Sequence, residues 1–419
     1  MEKIVYAGTT NSSFEQGSHD LLKLAEIRVS TKQVERVCHR IGKERLAERE
    51  RDVSAYEELP LLERKAAPAG VAIPTTAHVA VVGCDGGRLQ ILDRQGQAIE
   101  TEEAEADDGR SGKHWREDKI GLLMMMASAE AASDPCPEIP PSFVDPARIL
   151  KLARELKTKT AAREEAAKES SSPEASLEAL TNSALDPAMD PKPTWTPPKV
   201  LEKRMVGSRV RWPDFGPILA QAAWSWGFFA TPRKAFIADG SDNNWTIWRR
   251  HFSSFEPILD FIHALSYVFA SAMAARPFAD GWRTYQEWIG WTWTGDVAQV
   301  IEALRSRQAE LGEPLPEDGE THPRQVVSRS LSYLENHQSQ MKYAAYRRVG
   351  LPITSSYVES AVKQFNQRVK GTEKFWSERG AEAMLQLRAD HLSDHAPLAE
   401  FWQSRQEKQT GQRPYRMAS

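Results

Sequence analysis

The clearest hydrophobic pattern in the first quarter of the chain is the β-branched run Val79-Ala80-Val81-Val82. It passes through Gly83 and Cys84 to a single carboxylate, Asp85, and resumes after Gly86-Gly87 as Leu89 to Leu92. Apolar segments on either side of Asp-Gly-Gly predict a buried β-hairpin turning at Gly86-Gly87, with Asp85 near its tight end. A second continuous apolar run, within His114 to Met126, predicts a central strand. Further on, Ala235 to Ala238 ends in Asp239-Gly240, and Phe255 to Leu259 ends in Asp260. Helical periods follow each, a short one from Asn243 and a longer one from Phe261 to Ala275 that carries His263. Strands alternating with helices predict an α/β fold, a mixed sheet with helices packed on it.

Outside these segments the pattern is helical or irregular. Residues 18–66 read as helices, with a break and N-cap at Val29-Ser30-Thr31. Two short helices there, the second running from Lys32 to Ile41 and rich in Arg and Lys, fit a helix-turn-helix-like unit. Lys32, Arg36 and Arg40 are its candidate DNA contacts. Residues 1–66 are therefore expected to form an N-terminal helical region. Residues 131–205 combine low hydrophobicity with many prolines around a charged, Ala-rich stretch, and predict a largely disordered or extended excursion. Residues 276–350 read as helices only. Trp282, Tyr285, Trp288 and Trp291 share one face there, which suits a helical core better than a base-stacking platform.

From Ser355 to Arg388 a helix is predicted with Glu359 on its first turn. Lys363, Arg368, Lys370 and Lys374 follow, either as a solvated face or, beside a polyanion, as phosphate contacts. The core is thus expected in three pieces, 71–130, 206–275 and 351–395.

Composition narrows the classes. The 419 residues suffice for two or three domains, and a net charge of -4 means that any nucleic-acid surface is local. Three scattered cysteines, Cys38, Cys84 and Cys136, lack zinc-site spacing and point to a reducing cytosol. No apolar run reaches membrane-spanning length, and the first residues lack the features of a signal peptide.

The candidate chemistry lies in Asp85, Asp239 and Glu359. Two carboxylates about 4 Å apart repel by roughly 4 kcal/mol at an effective dielectric near 20, so such a cluster calls for a counter-charge. Hard oxygen ligands select Mg²⁺ or Mn²⁺, and a pair of such ions suits phosphoryl displacement.

The segments VVGCDGGRLQIL, HWREDKIGLLMMM, FIADGSDNNW, FEPILDFIHALSYVFA, YQEWIGWTWTGDVAQVIEAL and SSYVESAVKQFNQRVKGTEKFWSERGAEAMLQLRA, in this order, resemble the DDE transposases of bacterial insertion sequences, most closely the ISKra family. The resemblance runs from about Thr31 to Trp402, apart from residues 140–205. It implies a ribonuclease H-like fold with a helical insertion before the final helix, and Asp85, Asp239 and Glu359 as the catalytic triad holding two Mg²⁺ or Mn²⁺ ions. Asp260 and His263 match an Asp-x-x-His signature and are expected in a supporting role. The implied activity is phosphodiester hydrolysis at transposon ends followed by strand transfer to target DNA, by a homodimer or higher homo-oligomer in the bacterial cytoplasm, at the nucleoid. Two other expectations remain open: a nuclease on the same fold that does not join strands, and a DNA-binding derivative without catalysis.

Overall fold

The computed structural model describes residues 1–92, 114–152, 195–371 and 373–407. Three helices open the chain: α1 (Glu2–Thr10), α2 (Phe14–Ala25) and α3 (Thr31–Glu58), then the short α4 (Leu61–Arg64). Ser30 caps α3 in a reciprocal capping box with Gln33, as the sequence break predicted. The second helix is not short, however. It runs for 28 residues, because Val34, Cys38 and Ile41 bury one face and the charged stretch beyond them pairs with the rest of the protein.

The first strand, β1 (His78–Ile91), corrects the predicted hairpin. It is one continuous strand of 14 residues that passes straight through Asp85-Gly86-Gly87. The two glycines make room for cross-strand acids and do not turn the chain. A Cβ on Gly86 would come 2.8 Å from Glu117 Oε1, and one on Gly87 2.9 Å from both oxygens of Asp118. Both acids lie on β2 (Trp115–Ala127), which pairs antiparallel with β1 over its whole length.

The next strand, β3 (Lys199–Ser208), begins inside the stretch expected to be disordered or extended and runs past its end at residue 205, and pairs antiparallel with β2. Residues 131–152 are also ordered: Tyr285 and Trp293 donate to the carbonyls of Phe143 and Cys136, and the fully buried Arg347 pairs with Asp134. The acidic segment Glu100 to Asp108, expected to be irregular, and most of the Ala-rich stretch fall outside the described residues.

After α5 (Trp212–Ser225) come β4 (Lys234–Ala238), α6 (Asp242–His251), β5 (Glu256–Leu259) and α7 (Phe261–Met273). The all-helical stretch follows as predicted, with α8 (Phe278–Thr294), α9 (Val297–Leu311), α10 (Pro323–His337) and α11 (Tyr343–Arg348). Tyr285 and Trp288 are buried there, so the aromatic face packs a core. The chain ends in α12 (Ser356–Val369), the two-residue β6 (Phe375–Trp376), α13 (Glu378–Leu392) and α14 (Pro397–Glu407).

The sheet order is β3-β2-β1-β4-β5, with β6 beside the far end of β1. Only β2 runs against the others. The central strand is therefore β1, whereas β2, predicted as central, is one place further out. Helix α12 covers one face, with Val358 over Gly83 and Phe365 over Gly207; α5 covers the other, with Leu219 and Phe215 over Gly121. Both sheet edges are capped by side chains, which removes the unpaired strand edge that invites aggregation. Ser393 and Asp394 accept from the Met205 and Lys203 amides of β3, and Arg49 of α3 donates to the Gly207 carbonyl. At the opposite edge, Tyr343 and Tyr346 of α11 donate to Leu259 and Pro257 of β5.

The N-terminal helices share this core. Arg45 and Arg49 of α3 pair with Asp390 and Glu382 of α13, and Arg388 donates to the Thr9 carbonyl. No helix among the described residues is long and apolar enough to cross a membrane.

Candidate active site

Three aspartates stand in register on three adjacent parallel strands, Asp85 within β1 and Asp239 and Asp260 just past the ends of β4 and β5. The pairings Gly83↔Ile237 and Ala238↔Leu259 set the register. Two residues beyond Gly83 is Asp85; two beyond Ile237 is Asp239; one beyond Leu259 is Asp260. The three occupy equivalent positions across β1, β4 and β5, at the carboxyl ends of β4 and β5, where open α/β sheets present their sites. The Asp260 amide donates to the Ala238 carbonyl at 2.8 Å, which continues the ladder into this row.

Glu359 arrives from another element. Helix α12 crosses β1 at Gly83, where an added Cβ would come 2.7 Å from Val358 Cγ2. This close approach brings the first turn of α12 down onto the strand two residues before Asp85, and Glu359 follows Val358 directly.

Around Asp260 the donors are dense. Its Oδ2 accepts from His263 Nδ1 at 2.7 Å and from Ser355 Oγ at 2.8 Å, and its Oδ1 caps α7 by accepting from the Ile262 amide at 3.1 Å. Burial alone would raise this carboxyl, but the His263 bond and charge, with the other two donors, hold it below the ordinary value. For His263 burial works downward and is outweighed: the bond and charge of Asp260, with the charges of Asp239 and Glu359, push it up to about 9. The imidazole thus favours its protonated form, with Nδ1 held on Asp260.

Asp260, His263 and Glu359 form the one trio of metal-ligating types among the described residues whose ligand atoms all lie within 4.8 Å of one another. Both acceptor positions of Asp260 Oδ2 are filled by His263 and Ser355, so ligation by this trio would fall to Asp260 Oδ1, Glu359 and a deprotonated His263. The expected set, Asp85, Asp239 and Glu359, does not close to that spacing, although its members share an electrostatic neighbourhood. Asp239 and Glu359 both act on His263, and Asp85 and Asp239 both act with burial to push the Cys84 thiol well above its usual range.

Three carboxylates, Asp239, Asp260 and Glu359, act on one imidazolium, which leaves an excess of negative charge. Hard oxygen donors carrying that excess fit a divalent cation. The Asp260–His263 pair then orients and partly neutralises the set.

Asp239 is held at several points. Its Oδ1 accepts from the Ser241 amide and from Asn244 Nδ2, each at 3.0 Å, and its carbonyl accepts from Tyr333 Oη at 2.8 Å. Tyr333 comes from α10, within the all-helical stretch, and its ring lies against Gly240, whose φ of +96° suits glycine. Sequence reasoning missed Asn244, Ser355 and Tyr333. Asn244 could have been suspected from its place five residues after Asp239, but nothing local points to the other two.

The basic candidates divide. Lys32, Arg36 and Arg40 lie four residues apart on the exposed side of α3, opposite the buried Val34 and Cys38. Lys363, Lys370 and Lys374 are half-buried, and Lys374 donates to the Gln367 carbonyl. Arg368 is not a DNA contact. It is 2 % exposed, donates to the Gly8 carbonyl at 2.9 Å and stacks against Phe14 and Trp376, so its charge ties α12 to α1 and α2. Burial lowers it to about 10.

No protein-family model matches the chain, and no curated protein is significantly similar to it.

Proposed function

We propose that the protein is a metal-dependent DNA transposase of the DDE type on a ribonuclease H-like core. The reading is carried by one observation: a sheet ordered β3-β2-β1-β4-β5 with only β2 reversed, bearing Asp85 on its central strand and Asp239 at the end of the next, with Glu359 on the helix that crosses the central strand. That order is the one a ribonuclease H-like sheet would have, and α8 to α11 stand where the resemblance implies a helical insertion.

Asp85, Asp239 and Glu359 would hold Mg²⁺ or Mn²⁺, two ions in the fully loaded site. Bound there, such ions supply the positive charge that activates an attacking oxygen and stabilises a leaving one at a phosphodiester. Asp260 fixes His263 beside the acids. Lys363, Lys370 and Lys374 hold the backbone of that strand, while the exposed stripe Lys32, Arg36 and Arg40 meets transposon-end duplex. Both contributions weaken with salt. Cleavage at the transposon end and joining to target DNA would use the same acids in turn, in a homodimer or larger assembly.

The test uses labelled oligonucleotides carrying the ends of the cognate element, with Mn²⁺. Wild type is expected to nick and join; Asp239→Asn is expected to lose cleavage by at least about a thousandfold, the scale of removing a group that stabilises transition-state charge, while melting like wild type. Full activity in Asp239→Asn removes the proposal. Cleavage without joining makes the protein a nuclease, and end binding with neither metal uptake nor cleavage makes it a binding protein.

A further inference from the structure

We infer that Asn244 is a positioning residue that ties two of the in-register aspartates together, by holding Asp239 with its amide nitrogen while its amide oxygen receives the thiol of Cys84, the neighbour of Asp85. The inference rests on the metal-binding reading of Asp85 and Asp239 and adds a residue to it.

The side chain of Asn244 is 1 % exposed, on the first turn of α6. Its Nδ2 donates to Asp239 Oδ1 at 3.0 Å, and its Oδ1 accepts from Cys84 Sγ at 3.2 Å. Chemistry fixes which end of the amide is which. A carboxylate can only accept, so the nitrogen faces Asp239, and the oxygen is left for a group that can donate. Cys84 is such a group, itself buried.

The chain Cys84–Asn244–Asp239 therefore spans from β1 to the end of β4 by a route separate from the sheet ladder, whose last pair on these strands is Gly83↔Ile237. Its two ends lie next to, and at, the two aspartates that must keep a set separation to share cations. The Asn244 and Ser241 donors both fall on Oδ1 of Asp239, which leaves Oδ2 to ligate. An outer partner of this kind selects one carboxylate orientation before a cation arrives, and losing such partners typically weakens metal affinity 10- to 100-fold.

The experiment compares full-length wild type, Asn244→Ala, Cys84→Ala and Cys84→Ser by Mn²⁺ titration calorimetry, thermal melting, and cleavage as a function of Mn²⁺ concentration. Crystal structures of wild type and Asn244→Ala without metal complete the set. Asn244→Ala is expected to bind Mn²⁺ about 10- to 100-fold more weakly while melting within a few degrees of wild type, and saturating Mn²⁺ is expected to restore most of its cleavage rate. A variant damaged only in its packing would not be rescued by metal. Cys84→Ser keeps a donor and is expected to stay within about twofold of wild type, with Cys84→Ala between the two.

Mn²⁺ affinity in Asn244→Ala within twofold of wild type overturns the inference. If wild type itself takes up no Mn²⁺, the metal reading falls. The crystal structures then decide this one: an Asp239 side chain in the same rotamer, equally ordered, in Asn244→Ala shows that Asn244 does not position it.

Discussion

Asp260 and Asp118 are aspartates of one sheet, 1 % and 0 % exposed, and their surroundings drive them in opposite directions. Asp260, at the end of the parallel half, meets an imidazolium, a hydroxyl and a helix-capping amide, and its carboxyl is held below the ordinary value. Asp118, in the antiparallel half, lies over Gly87, and neither of its oxygens has a hydrogen-bond partner among the described residues. Burial pushes it up to about 7. The lesson is local: the fold keeps a buried negative charge where a helix N-terminus and a histidine converge, and it lets a carboxyl's protonation rise three strands away where they do not. Charge is concentrated at the β4–β5 end of the sheet by its donors, and burial alone would disperse it.

The hardest test of that contrast is to remove the better-supplied acid. Asp260→Ala takes away the α7 cap and leaves His263 as a cation beside Asp239 and Glu359 without its main partner. Breaking a buried pair in this way costs about 3 to 5 kcal/mol, and urea unfolding should show a loss of that size. The effect should also carry a pH signature. A carboxyl depressed by folding contributes stability that is present above its unfolded value and lost as pH falls through its folded value. The gap between wild type and variant should therefore shrink in acid. A loss below about 1 kcal/mol, the size of one ordinary hydrogen bond, would mean that the donors around Asp260 contribute little to its charge.

Asp118 should give the opposite slope. Its folded value of about 7 lies above that of an unfolded aspartate, so its protonated form favours the fold at low pH and that contribution disappears as pH rises through 7. Over the roughly three units between about 3.9 and 7 the change amounts to about 4 kcal/mol as an upper bound. Asp118→Asn removes the titration. The variant is expected to be more stable than wild type above pH 7, by about 2 kcal/mol after allowing for the desolvation of the buried amide, and to lose that advantage near pH 4. Melting curves from pH 4 to 8 check it; parallel curves for the two proteins would show that Asp118 does not titrate in that range.

The same contrast explains what could be read from the sequence. Asp85, Asp239 and Asp260 were legible because each ends or follows an apolar run, whereas His263 was singled out only by the Asp-x-x-His signature of the resemblance. The α/β class and the all-helical stretch 276–350 were legible because apolar periodicity survives tertiary folding. Gly86-Gly87 was not, since the Asp-Gly-Gly signal for a turn is identical to that for a straight strand whose neighbours need space, and Glu117 and Asp118 are distant in sequence. Strand β3 was hidden because Lys199, Glu202, Lys203 and Arg204 make it look like solvent-exposed chain; its edge is covered by groups from α3 and from residues 393–394, far away in sequence. Residues 131–152 are broken up by five prolines and are ordered by aromatic donors and Arg347 of the all-helical stretch. Arg368 reads as one more surface cation until α1 and α2 close over it.

The smallest predicted effect separates charge from scaffold at the β4 end. Tyr333 reaches Asp239 through the backbone carbonyl, and its ring also stacks on Tyr267 at a centroid distance of 3.7 Å and covers Gly240. Tyr333→Phe keeps the ring and removes only the hydroxyl, so it leaves one carbonyl without its donor at a cost of about 1 kcal/mol. The bond does not touch the carboxylate, so Mn²⁺ affinity should stay within about twofold of wild type, in contrast to the loss expected at Asn244. Thermal melting and Mn²⁺ titration on the same sample read both quantities. A large loss of metal affinity in Tyr333→Phe would show that the all-helical stretch, through the β4 backbone, sets the position of the acids. Preserved affinity with a small stability loss would assign that task to the groups on the carboxylate itself, which is where the opposite fates of Asp260 and Asp118 already place it.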